Sequence, residues 1–461
     1  MEVIPVIDVS KLVTLTLGSL ASHSHAHVRR AALSAARDAV NSDIWFDPPS
    51  RVLLLPSCLE HVSYHLQLRE ELVLSTDILL DIIELLRRET DRSRTSAMYR
   101  VTSILAENCI SPLGVAIISE QETDTESEDK MTGARLTATL LGILELVNLL
   151  DQSLLWLSES GSGILGKLFS VLTEILSKPT FPSDWFTFSM SLINTVHLTI
   201  KQTAACLIQQ INFDKLVWMS FFRLSASFIL SPLLATDQMK NQGKLFSLVD
   251  MRMSMAQLIV ETWRRCPDQI QLVPSLVGPL LELILVPLRD IRQTVVPVLI
   301  DMMEVEQRIK GSFKQMETEL IDKLDMLINE NREDEEYHEV FNSLMLDLTQ
   351  QLESPGQECP GSMFVSSVST LLERLLDYRG TLEGDHNRNK RMTCTVNLLK
   401  FYKDDITRQE LYTRYIYKLH DLHLAAHNYA EAGFTLQLHA GQLDWSTRML
   451  HADLQFPTQQ V

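Results

Sequence analysis

Turn-forming residues are scarce in this chain. Glycine and proline number 16 each in 461 residues, against roughly 7% and 5% in ordinary proteins. A chain so poor in breakers, with leucine-rich periodic segments throughout, reads as nearly all helix. Cysteine is sparse as well. Cys58, Cys109, Cys206, Cys266, Cys359 and Cys394 lie far apart with no C-x-x-C pair, which excludes a dense disulfide framework and fits a reducing cytosol. Positive charge is deficient, with 41 Lys and Arg against 59 Asp and Glu for a net charge of −18. Neither nucleic acid nor an anionic membrane is therefore expected as the main partner. Long apolar runs are missing too. The longest charge-free run, 12–28, holds three His and five Ser or Thr, which is wrong for hydrocarbon, so no integral membrane segment is expected. Residues 12–21 could pass for a signal-peptide core, but Glu2 and Asp8 stand where basic residues belong. The chain reads as soluble, intracellular and cytoplasmic.

What is present is helical periodicity on a scale too long for one core. An all-helical chain of this length is more easily built as a repeat stack than as a globule. Residues 1–118 hold short helices, among them 27–40, whose Val-Arg-Arg-Ala start resembles the second helix of a HEAT repeat. Residues 119–130 contain no apolar residue, being Ser, Thr, Gln, Asp, Glu and Lys throughout, and are expected to form a disordered acidic loop. Its hydroxyls among carboxylates suit an acidophilic kinase, although a solvating linker needs no such role. Residues 131–353 form the most strongly helical block. Leu136, Leu140, Ile143, Val147, Leu150, Leu154 and Leu157 make one stripe, widened by Leu141, Leu144 and Leu155, as suits a helix buried on more than one side. Pro274, Pro279, Pro287 and Pro297 punctuate 272–303, and prolines near helix starts read as armadillo or HEAT architecture. The linker 354–361 then marks a domain boundary, followed by 362–461.

The last segment carries a helix pair. Tyr412, Tyr415, Ile416, Leu419, Leu422, His423 and Ala426 recur at helical spacing. Asn428 starts a second helix whose expected inner face is Tyr429, Ala432, Gly433, Leu436, Ala440 and Leu443. This is the pattern of TPR-like helix pairs. Tyr412, Tyr415 and Tyr417 either pack within the array or, with Tyr429, Phe434 and Leu436, form a surface against which a further layer packs. Such a patch invites self-association.

Other motifs weigh less. Residues 161–167, Gly-Ser-Gly-Ile-Leu-Gly-Lys, match the start of a phosphate loop, but no strand precedes them and Leu168 stands where Ser or Thr would hold Mg²⁺. A helix-to-helix turn is the better reading. His420, His423 and His427 share a helical face, and His23, His25 and His27 alternate. No Cys pair or H-E-x-x-H accompanies either group. No catalytic, cofactor or metal residue is assigned.

Three blocks together resemble a known family. Residues 371–379 (Leu-Leu-Glu-Arg-Leu-Leu-Asp-Tyr-Arg), 394–403 (Cys-Thr-Val-Asn-Leu-Leu-Lys-Phe-Tyr-Lys) and 412–445 look like the entrance to the exchange domain of the DOCK (dedicator of cytokinesis) family, in its Rac-directed branches. Residues 249–257, 277–282 and 301–313 resemble the helical repeats that precede that domain. Ala430 and Gly433 stand where the family suggests Thr and Ala, and a mid-helix Gly costs roughly 0.5–1 kcal/mol. The resemblance implies an all-α chain, an armadillo/HEAT-like α-solenoid followed by the first TPR-like helices of the exchange domain's helical lobe. It implies guanine-nucleotide exchange on Rho/Rac-type GTPases through lobes not represented here, and an ELMO-type adaptor as a partner of the full-length protein. This chain stops sixteen residues after Trp445, where the family's domain continues, so a catalytically silent scaffold is expected. The alternative is a stand-alone solenoid adaptor unrelated to GTPases.

Overall fold

The computed structural model describes residues 6–329 and 370–443, less short stretches within each, among them 91–95, 123–126, 235–244, 285–287, 382–386 and 406–408. All regular structure among the described residues is helical. The chain divides into two compact units, Met1–Met302 and Met303–Val461. The expected linker at 354–361 lies outside the described residues.

The first unit is built from α1 (Val6–Leu20), α2 (Ala26–Val40), the short α3 (Asp43–Phe46), α4 (Pro48–Leu68), α5 (Leu72–Thr90), α6 (Ser96–Glu122), α7 (Ser127–Leu149), α8 (Glu159–Ser177), α9 (Phe186–Gln209), α10 (Lys215–Leu230), α11 (Leu245–Arg264), α12 (Val273–Ile284) and the start of α13 (Arg289–Lys310). Successive long helices alternate between two rows. In one row α1 packs on α4, α4 on α6, α6 on α8, α8 on α10 and α10 on α12. In the other, α2 packs on α5, α5 on α7, α7 on α9 and α9 on α11. This is a helical-repeat array, the architecture expected of the leucine-rich periodicity. The stripe from Leu136 to Leu150 is buried along α7, including Leu141 and Leu144, because a helix in the middle of a row meets neighbours on two sides.

Local signals set several helix ends. Asp47 accepts from the Ser50 N–H at 3.2 Å and precedes Pro48 at the first helical position of α4, the arrangement that suits a helix start. Asp214 does the same for α10, accepting from Leu216 N–H at 2.9 Å. Elsewhere the boundaries differ from expectation. Pro279 and Pro297 lie inside α12 and α13, as Pro56 and Pro112 do inside α4 and α6. Pro274 alone sits at a helix start, and Pro287 lies outside the described residues. Each internal proline forfeits one backbone bond, at about 3 kcal/mol. Burial of Leu280, Leu281 and Ile284 around Pro279, and of Val295, Val296 and Leu299 around Pro297, offsets that cost. The expected acidic loop also narrows, since α6 runs to Glu122 and α7 begins at Ser127, leaving 123–126 outside the described residues.

The two rows are held differently. The α4–α6–α8–α10 row is apolar, with Leu59, Leu113, Phe169 and Phe221 fully buried and the Phe169 and Phe221 rings 5.9 Å apart, edge to face. Burial pushes the Cys58 and Cys109 thiols up to about 12, so neither is a thiolate nucleophile at neutral pH. The α2–α5–α7–α9 row carries a polar seam. Arg37 reaches Asp77 and Asp81 at 2.9 Å each, Arg135 pairs with the same Asp77, and Arg87 pairs with Glu145. Glu145 accepts from Ser191 Oγ at 2.7 Å, and Asn148 Nδ2 donates to Thr199 Oγ1 at 3.1 Å. Partly exposed ion pairs contribute roughly 0–1 kcal/mol each, so the apolar row supplies most of the stability. The seam sets register, because a slip of one turn strips Asp77 and Glu145 of their donors.

Among the described residues two helices are long and apolar enough to cross a membrane, Met98–Glu120 and Lys215–Leu234, but 61% and 56% of the respective windows is buried in the array. Both are accounted for as core helices.

Three buried histidines make the first unit acid-sensitive. His61 and His65 lie one turn apart on α4, with His61 Nε2–H donating to the Leu17 carbonyl and neither His65 nitrogen hydrogen-bonded. His197 on α9 stacks on Phe228, ring centroids 5.7 Å apart. Burial lowers all three pKa values, opposed at His61 by the Leu17 carbonyl and at His65 chiefly by Glu70. Above the unfolded value of 6.5 both states are neutral and stability is full. As pH falls below it the unfolded chain takes protons first, and stability drops until the lowered folded values are reached. Each unit of lowering is worth about 1.4 kcal/mol. Urea melts of the wild type and of His65→Leu should show a shallower acid loss in the variant. Equal slopes would remove His65 from the account.

Candidate interaction surface

The second unit places the candidate residues that the sequence singled out. After α13 come α14 (Lys314–Asn329), α15 (Arg388–Lys400) running into a π-helical turn at Phe401–Asp405, α16 (Gln409–Ala425) and α17 (Tyr429–Ala440). α16 packs on both α15 and α17. Its buried stripe is Tyr412, Tyr415, Ile416 and Leu419, as the spacing predicts. Tyr415 is the centre of the cluster, with the Tyr378 ring 5.9 Å and the Tyr402 ring 5.3 Å from it. Lys418 Nζ lies 4.5 Å from the Tyr415 ring centroid, a cation–π contact that keeps the ammonium over a buried ring.

Tyr412 and Tyr415 are therefore buried among the described helices of this unit. Tyr417 is half-buried and bridges the hairpin. Its hydroxyl lies 2.9 Å from His439 Nδ1, with the rings 5.3 Å apart. The hairpin turn is closed by His427 at φ +59°, with the Asn428 N–H donating to the His423 carbonyl at 2.9 Å. Asn428 is the N-cap of α17, as expected, although its side chain makes no capping bond.

The expected inner face of α17 holds only at Ala432. Thr435 is buried beside it, while Tyr429, Gly433, Leu436, Ala440 and Leu443 are exposed. The face that packs is the one with least bulk, Ala432, Thr435 and His439 at i, i+3 and i+7. Small side chains let α17 approach α16 closely, and the bulkier stripe turns outward. Tyr429 is 66% and Phe434 68% exposed, with Leu436, Leu438 and Leu443 also exposed. Tyr429, Leu436 and Leu443 fall on one side of the buried Ala432–Thr435 face and Phe434 and Leu438 on the other, and nothing in the described hairpin covers either side.

The remaining motifs resolve plainly. Residues 161–167 are the first turns of α8, not a turn between helices, because Leu165, Leu168, Phe169 and Leu172 supply a buried stripe strong enough to carry Gly161, Gly163 and Gly166 into the helix. Lys167 Nζ donates to Ser111 Oγ at 3.1 Å. His420 Nδ1 lies 3.0 Å from Asp421 Oδ1, and His427 Nδ1 3.0 Å from the Tyr429 hydroxyl. Among the described residues no group of three His, Cys, Asp or Glu could hold a metal ion. The sequence reading missed the seam residues Asp77, Arg135 and Glu145. Their signal was a charge placed inside an otherwise apolar stripe, as in Leu144-Glu145-Leu146.

Comparison with known proteins bears on the whole chain. A family model described as the dedicator of cytokinesis (DOCK) TPR region matches residues 1–344. Dedicator of cytokinesis protein 3 of Mus musculus is 32% identical over 486 residues, covering 100% of this chain and 24% of the relative. Dedicator of cytokinesis protein 4 of Homo sapiens is 33% identical over 474 residues, covering 98% of this chain and 24% of the relative. This chain thus spans about a quarter of the length of these relatives. Among solved structures, a circular tandem repeat protein with a novel repeat topology aligns over 94% of this chain and 97% of its own, at 14% identity and a TM-score of 0.32, too low to bear on the fold. The family match over most of the helical array, together with identity running through both units, makes this chain a member of the dedicator of cytokinesis family.

Proposed function

We propose that residues 1–461 are the helical scaffold of a DOCK-type guanine-nucleotide exchange factor acting on Rho/Rac-type GTPases in the cytoplasm. The observation that carries this is the family match over 1–344 with sequence identity continuing to the end of the chain. Exchange factors bind the nucleotide-free GTPase more tightly than the loaded one and so lower the cost of nucleotide release. Nothing in the described helices offers a group poised for that task, and the reading assigns to them the positioning of other parts of the protein, with an ELMO-type adaptor as a partner at the level of the full-length protein. Family membership leaves an adaptor unrelated to GTPases without support.

The exposed Tyr429 and Leu436 on one side of α17 and Phe434 on the other, with the half-buried Tyr417 beneath the hairpin, are the proposed lobe-packing surface. Exposed apolar side chains on both sides of a terminal helix are covered by a further layer or by another copy. One preparation tests both parts. Residues 1–461 should leave release of labelled GDP from Rac at its intrinsic rate, and light scattering should show concentration-dependent association that Phe434→Glu reduces. Accelerated release overturns the scaffold assignment. A monodisperse monomer at high concentration overturns the packing surface and leaves the scaffold assignment standing.

A further inference from the structure

Guanidinium groups along the seam of the first unit have acids opposite them, but those between α11 and the part of α13 in this unit do not. Met253, Gln257, Val260 and Arg264 recur at helical spacing and share one face of α11. Two cavities open along that face. One, of about 60 Å³, lies between Arg252, Met253 and the start of α13 at 288–291. The other, of about 430 Å³, lies between Gln257, Val260, Arg264 and Thr294 of α13. Both walls advance in the same direction from one cavity to the next, which makes them successive stretches of one groove.

The groove is basic and its charge is unspent. Arg252, Arg264, Arg265 and Arg289 line it against Glu261 and Asp290. Glu261 is taken by Arg265 at 2.9 Å. Among the described residues Arg252, Arg264 and Arg289 make no hydrogen bond or ion pair. Asp301, one turn or more beyond Thr294, feels the field of Arg264 without bonding it. Arg252 is the telling member. Its Nε is buried with no acceptor, and burial lowers its pKa with no carboxylate opposing the shift. Buried charges are ordinarily paired. With 59 Asp and Glu in the chain, acids are not in short supply, yet none is placed here. The start of α13 adds to the same field. The Leu288 carbonyl accepts the first helical bond, from Arg292 N–H at 3.1 Å, but a leucine side chain cannot cap the N–H groups of the first turn that line the small cavity.

The spacing selects the occupant. Twelve residues of α11 separate Arg252 from Arg264, about 18 Å of helix, so one small anion satisfies one end only. Five or six residues of extended peptide cover that span. We propose that the groove between α11 and α13 docks an acidic, extended segment of a partner protein, one carboxylate seated on Arg252 at the start of α13 and a second beside Arg264. The site uses no residue of the C-terminal hairpin, so it stands apart from the lobe-packing surface.

The test is fluorescence anisotropy on residues 1–461 with three short labelled peptides of Ser and Gly. The first has Glu pairs at both ends, set to the span above, the second has Gln in their place, and the third keeps Glu at one end only. The first should bind, more weakly as salt rises, the second should not, and the third should bind about tenfold more weakly than the first. Arg252→Met should weaken the first about tenfold, equivalent to 1.4 kcal/mol, while the melting temperature holds or rises, because an uncompensated charge has been removed. Arg264→Gln, at an exposed position, should lose the same tenfold at an unchanged melting temperature, and it decides the matter should Arg252→Met fail to fold. No binding of the first peptide, equal binding of the second, or full affinity in Arg264→Gln overturns the proposal. Equal binding of the first and third peptides, or full displacement by inorganic phosphate but not by chloride at the same ionic strength, reduces the site to a single-anion one and also overturns it. So does self-association of the chain that depends on Arg252, which would make a second copy the occupant.

Discussion

Gly114→Leu is expected to destabilise the first unit by about 3 kcal/mol or more, and Gly114→Ala by about 1–3 kcal/mol. A Cβ placed on Gly114 of α6 would lie 2.5 Å from Val171 Cγ2 of α8. Val171 is buried and, being β-branched, has few rotamers with which to retreat. The clash therefore separates two helices of the apolar row. The same change at Gly133, where nothing lies within 4 Å, removes a mid-helix glycine at no steric cost and should stabilise by about 0.5–1 kcal/mol. Chemical denaturation of the two alanine variants should thus give shifts of opposite sign. Adding Val171→Ala to Gly114→Ala should recover most of the loss. If both alanines stabilise, α6 and α8 are not in the contact described.

That contact shows where sequence reading ends. The Leu136–Leu150 stripe was legible because helical periodicity is local, and so was the start of α17 at Asn428. Gly114 carries no such signal. Its meaning depends on Val171, far along the chain, and a lone glycine beside Pro112 looks like a helix breaker. The same blindness explains the prolines. Pro279 and Pro297 are local reasons to end a helix, and only the burial of their neighbours on both sides outweighs them. At 161–167 three glycines outvoted the leucines in a local reading, whereas the leucines won in the array.

The hairpin divides in the same way. Tyr412 and Tyr415 follow the period and are buried. Tyr429 and Leu436 follow it too and are exposed, because closeness of approach, set by Ala432 and Thr435, chose the packing face. Hydrophobic period identifies the stripe with most apolar area, and small residues identify the one that touches. The family was legible in three blocks near the C-terminus and three more between 249 and 313, while identity to the relatives extends through 1–118, where the residues alone gave only helical character.

Glu306→Leu should cost the second unit about 3 kcal/mol and act locally. Glu306, in the part of α13 that belongs to that unit, is fully buried. Its two oxygens accept the N–H groups of Gln315 and Met316, each at 3.0 Å. Those are among the first N–H groups of α14, which no intrahelical carbonyl can satisfy. A carboxylate there also meets the positive end of the helix dipole. Gly311 makes the intervening turn at φ +69°, a conformation that L side chains rarely adopt. Hydrogen bonds to a charged group contribute roughly 1.5–3 kcal/mol each, and an apolar replacement leaves both donors without that partner, the Met316 N–H being the buried one. Glu306→Gln keeps one acceptor and should lose about half as much. Hydrogen exchange is the sensitive readout, since amide protection at 315 and 316 should collapse in Glu306→Leu while that of α4 and α6 is unchanged. Protection retained at 315 and 316 would mean that α14 is capped by something other than Glu306, and that the turn at Gly311 alone holds the two helices in place.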